Sequence, residues 1–111
     1  MGKASVVGNL VFLAAEDSRD PKTGEVRGAN AEEQTDLLFE NMKATLEGLG
    51  SSLSHVVSVR TVLTDAHHQP GYAKAKRKHL PHAPPSMAIY GPQLADPRLV
   101  VQIEATAVLA R

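Results

Sequence analysis

Leu99 to Leu109 reads LVVQIEATAVL and is the most strand-like run in the chain. Strand side chains alternate with a period of two, so Leu99, Val101, Ile103, Ala105, Ala107 and Leu109 make one wholly apolar face. Val100, Gln102, Glu104, Thr106 and Val108 make the other, with polar groups set between valines. Such a strand suits the middle of a sheet, with helices beneath and a partner subunit or ligand cleft above. Gln102 and Glu104 are therefore the first residues to question.

Working outward, Val56 to Thr64 (VVSVRTVLT) is a second strand with apolar residues on both faces, and it too is expected to be central. Ser86 to Tyr90 (SMAIY) is a third. Ser5 to Ala14 (SVVGNLVFLA) is a fourth, which Gly8-Asn9 can bend or bulge. Between them, Ala31 to Leu49 has helical spacing, with Leu37, Leu38, Met42, Thr45, Leu46 and Leu49 in one stripe. Asn30 is placed to cap it, Glu33 to reach back to the cap amide, and Gly48 and Gly50 to end it. Gly71 to Leu80 is a short basic helix with Tyr72, Ala75, His79 and Leu80 on one side, and Pro81, Pro84 and Pro85 forbid its continuation. Glu16 to Gly28 holds the turn pairs Asp20-Pro21 and Thr23-Gly24, with Glu25 to Arg27 as a further short strand. These elements predict an α+β sandwich, a mixed sheet with two helices on one face. The other face is left without a cover, which predicts an oligomer.

The 111 residues suit one domain spanning 1–111. Twelve basic residues balance twelve acidic ones, so the charge gives no general attraction to nucleic acid or anionic membrane. Cysteine is absent, which excludes disulfides and thiolate chemistry and predicts an intracellular, cytoplasmic protein. No apolar run approaches the roughly 20 residues of a membrane span.

Gly8-Asn9-Leu10-Val11-Phe12, Asp20-Pro21-Lys22-Thr23-Gly24-Glu25-Val26, Gln34-Thr35, Glu40-Asn41-Met42-Lys43-Ala44, Gly50-Ser51-Ser52-Leu53, Val56-Val57, Leu63-Thr64-Asp65 and Ile103-Glu104-Ala105-Thr106-Ala107-Val108 follow one another as in the RidA (YjgF) family, which the chain resembles over nearly its whole length. The resemblance implies a chorismate-mutase-like α+β fold and a homotrimer with ligand clefts between neighbouring subunits. It also implies hydrolysis of reactive enamines and imines such as 2-aminoacrylate to the ketone and ammonia, without a cofactor. In the family an arginine in a Pro-Ala-Arg-Ser segment grips the substrate carboxylate, and a glutamate on the last strand handles water or a proton. In this chain the corresponding positions are Pro85, in Ala83-Pro84-Pro85-Ser86, and Gln102. The family's Ser-Gly-Gln after the first strand is Ala14-Ala15-Glu16, and the family's N-terminal segment that brings a tyrosine to the cleft has no counterpart. The resemblance therefore carries the scaffold and leaves the carboxylate-gripping chemistry without its residues.

The candidate catalytic residues are Glu16, Gln102, Glu104 and His82, and the candidate substrate-binding residues are Ala15, Pro85, Ser86 and Tyr90. Glu104 is either an interior carboxylate tied into hydrogen bonds or part of an altered cleft. Gln102 can hold a water or a substrate amide, and it reads equally as a passive remnant. Glu16 is the best placed of the polar group Glu16, Asp17 and Arg19, while His82 lies beside the substrate-binding segment, where an imidazole can serve as an acid or base. His67, His68, His79 and His82 lack the convergence a metal needs. Ser86 has no partners for a triad and is expected to donate a hydrogen bond to a ligand. Lys74, Lys76, Arg77 and Lys78 form a basic run better suited to a solvated or salt-bridged face than to RNA, given 4% aromatic residues. The leading expectation is a deaminase-like enzyme that hydrolyses or tautomerises a small enamine, imine or related metabolite other than 2-aminoacrylate. A non-catalytic small-molecule-binding or interaction trimer is the alternative, and RNA binding a weaker one.

Overall fold

The computed structural model describes residues 4–110. Five strands form one mixed sheet: β1 (Ala4–Val7), β2 (Leu10–Glu16), β3 (Val56–Leu63), β4 (Ser86–Tyr90) and β5 (Val101–Val108), in the order β1-β2-β5-β3-β4. The run that decides the fold is thus the central strand, paired antiparallel with β2 on one side and β3 on the other. Helices α1 (Ala31–Gly48) and α2 (Gln69–His79) cover one face. Because α2 is the crossover between β3 and β4, those two strands run parallel. Val101, Ile103, Ala105 and Ala107 of β5 are buried against Leu38, Met42 and Leu46 of α1, while Gln102, Glu104, Thr106 and Val108 point the other way.

Four expectations change. Ser5 to Ala14 is a hairpin rather than one bent strand: Val7 pairs with Leu10, and Gly8 at φ +62° starts the two-residue turn. Glu25 to Arg27 is not a strand. Asp20 instead closes that segment into a loop, its carboxylate accepting from the Lys22 and Thr23 amides, and Arg27 and Asn41 bond back to the carbonyls of Ser18 and Arg19. The stripe on α1 includes Phe39 and leaves Leu49 exposed, because α1 packs on α2 as well as on the sheet, and Phe39 stacks on His79 at 5.3 Å. Finally, α2 begins at Gln69, with Pro70 in the first turn where no amide donor is needed, following a 3₁₀ turn over Ala66–His68 capped by Asp65.

Both ends of α1 follow local chemistry. Asn30 Oδ1 accepts from the Glu33 amide at 2.9 Å, and Glu33 reaches past the cap to the Ala29 amide at 3.0 Å. Gly50 at φ +84° lets the Ser51 amide return to the Leu46 carbonyl, which closes the helix.

Candidate functional site

The sheet face away from the helices is built from alternate residues of all five strands. Arg60 of β3 stands opposite Glu104 of β5, and Val62 opposite Gln102; on the other flank Met87 and Ile89 of β4 stand beside Arg60 and Val62. With Ala14 and Ala15 these residues line a depression of about 320 Å³. A second depression of about 350 Å³ continues past the Arg60–Glu104 pair towards Ser5, Phe12 and Ala14. The trough is apolar at its edges and polar along its floor. Phe12 is 42%, Met87 54% and Ile89 50% exposed.

The polar floor holds two hydrogen-bonded groups. Arg60 Nε donates to Glu104 Oε1 at 2.5 Å, and Arg60 Nη1 donates to Ser58 Oγ at 3.2 Å. Gln102 Nε2 donates to Asp17 Oδ2 at 3.3 Å, and the Asp17 carboxylate also accepts from the Arg19 amide and guanidinium. Asp17 is buried, so this contact ties the strand floor to the loop after β2.

The structure brings Ala15, Gln102 and Glu104 together at the trough and places the other five candidates elsewhere. Glu16 is buried on the helix-facing side, paired with Ile103. The reason is an extra residue on β2: pairing steps from Leu13–Ala105 to Glu16–Ile103, three residues against two. That bulge reverses the alternation and turns Glu16 inward. His82 Nε2 bonds to the Val56 carbonyl at 2.9 Å, four residues along β3 from Arg60, or about 13 Å at strand spacing. Pro85 gives its carbonyl to the Val59 amide at 3.0 Å just before β4. Ser86 and Tyr90 have the opposite parity to Met87 and Ile89. They face the helix layer, where Ser86 Oγ accepts from Lys76 Nζ and the Tyr90 hydroxyl donates to Gln69 Oε1 at 2.8 Å. Glu104 is not interior in the single chain; its side chain is about half exposed.

Arg60 is the site residue that the sequence reading passed over. Its signal was available in the alternation Ser58, Arg60, Val62 on a strand already placed centrally. A larger concavity of about 620 Å³ lies at the start of α1. Among its polar groups, Gln34 bonds to the Arg98 carbonyl and the Val100 amide, and Arg98 pairs with Asp96.

Comparison with known proteins fits this geometry. A family model described as Endoribonuclease L-PSP matches residues 2–109. The chain belongs to this family, the RidA family. It is 44% identical over 63 residues to a RutC family protein of Pyrococcus abyssi, covering 57% of this chain and 50% of that protein. It is 36% identical over 80 residues to one of Saccharolobus solfataricus, covering 72% and 64%. The chain spans about half the length of most of the curated relatives it matches. A solved structure from Thermotoga maritima superposes with a TM-score of 0.91 at 32% identity, covering 100% of this chain and 87% of that one. RidA from the Antarctic bacterium Psychrobacter sp. superposes at 0.89 and 30% identity, covering 96% and 86%. The α+β architecture of the RidA fold is thereby shared.

Proposed function

We propose that three copies of this RidA-family chain cover one another's open sheet faces, and that the trough becomes a cleft acting on a small enamine, imine or related metabolite. The observation that carries this reading is the placement of Arg60, Gln102 and Glu104 on one floor of an otherwise apolar, uncovered face. Gln102 offers a donor and an acceptor for a water or a substrate amide, and Glu104 offers a carboxylate for proton transfer. Arg60 already bonds to Glu104, so a substrate carboxylate would have to displace Glu104 to be gripped. Together with Pro85 and Gln102, this favours a neutral substrate over 2-aminoacrylate.

The test is ammonia release from 2-aminoacrylate generated in situ, beside a neutral enamine of similar size. A bidentate arginine contact is worth on the order of two powers of ten in capture, and a general acid or base about 10²–10⁴ in rate. The wild-type chain is therefore expected near background on 2-aminoacrylate and above it on the neutral enamine, with the Pro85→Arg and Gln102→Glu double variant gaining on the former. Robust wild-type turnover of 2-aminoacrylate would refute the substrate reading. Silence on every enamine would favour a binding trimer.

The basic run of α2 does not support RNA binding. Lys74 pairs with Glu32 at 3.3 Å and Lys78 with Asp36 at 2.9 Å, so half of the run is neutralised within the chain.

A further inference from the structure

Lys76 stands apart from the other cations of α2. Lys74 and Lys78 lean towards α1 carboxylates, and Arg77 is exposed. Lys76 lies on the β4 side, with Nζ 5.6 Å from the centroid of the Tyr72 ring and donating to Ser86 Oγ at 2.5 Å. Among the described residues it makes no ion pair. Half-burial pushes its ammonium below the ordinary lysine value, whereas the hydrogen bond from Lys78 to Asp36 holds Lys78 above it. Such an amine spends more time as the neutral nucleophile. Ser86 is exposed at the start of the edge strand, so a small molecule can reach the pair.

We propose that Lys76, held against the Ser86 hydroxyl at the edge of β4, is a covalent binding site for small carbonyl compounds. The neutral Nζ adds to the carbonyl carbon, and one amine proton ends on the former carbonyl oxygen, giving a carbinolamine. The Ser86 hydroxyl, which can accept one proton while giving another, is placed to carry that transfer. Loss of water then leaves the imine, with no net oxidation or reduction. The site is independent of the trough, because Ser86 faces the helix layer and Met87 the open face.

The test is to incubate the chain with acetaldehyde and sodium cyanoborohydride near neutral pH and to follow ethylation of each amine by peptide mass spectrometry. The reductant adds hydride to the imine carbon and fixes a secondary amine. Lys76 is expected to react measurably faster than Lys74 and Lys78, although their side chains are 70% and 63% exposed. Ser86→Ala should slow Lys76 alone, and Lys76→Arg should leave the chain's α-amino group as the fastest site. A Lys76 rate equal to or below that of Lys74 would overturn the proposal. So would a Ser86→Ala chain in which Lys76 keeps its wild-type rate.

Discussion

Thr61 and Tyr72 share a 2.6 Å hydrogen bond between hydroxyls that are almost wholly buried, one on the helix-facing side of β3 and the other on α2. Burial also pushes the Tyr72 phenol above its ordinary value, which keeps it neutral and available to donate. Tyr72→Phe removes one partner without changing the ring and leaves the Thr61 hydroxyl buried and alone. The expected cost is about 1–2 kcal/mol, read from chemical denaturation; an unchanged midpoint would show that the pair contributes nothing. The same register explains why some of the expected site residues lie away from the trough. Ser86 and Tyr90 were assigned to a ligand site by resemblance and position, whereas parity along β4 gives that face to Met87 and Ile89. Glu16 was misplaced because a bulge leaves no mark in an alternating pattern when the inserted residue is one alanine of a pair.

Between elements, α1 and α2 are joined at Asp36, which receives Lys78 Nζ at 2.9 Å and His79 Nε2 at 2.8 Å. Partial burial pushes its carboxyl up, but the two hydrogen bonds outweigh that and hold it below the ordinary value. A carboxylate lowered in the folded state stabilises fully above its unfolded value, near 4, and that contribution is lost as pH falls through the lower, folded value. Asp36→Asn should therefore cost about 0.5–1 kcal/mol near neutral pH, with the gap to wild type closing below about pH 4. Thermal unfolding of both proteins across that range checks it, and a gap independent of pH would contradict the assignment. Elements were the most legible level of the sequence. The Asn30 cap, the Gly50 stop and the prolines after Leu80 are local chemistry, and they set the helix ends to within two residues. The hairpin at Gly8-Asn9 was missed because a two-residue turn and a mid-strand bend use the same glycine. Phe39 was missed because its burial depends on a second helix rather than on the period of its own.

At the scale of the molecule, the question is what lies over the open face. Its flank at β4 carries Met87 and Ile89, its flank at β2 carries Phe12, and the trough runs between them. An apolar surface of this kind on a small chain destabilises a solitary subunit in water and favours association. The uncovered face was legible in the sequence as a sheet with helices enough for one side only, whereas the Arg60–Glu104 pair on its floor depended on the register of β3 against β5. The proposed cleft exists only if neighbouring copies close the trough, so the assembly state tests the account most directly. Light scattering coupled to gel filtration at micromolar concentration should give the mass of three 11.9 kDa chains; the mass of a single chain would contradict both the trimer and the intersubunit site.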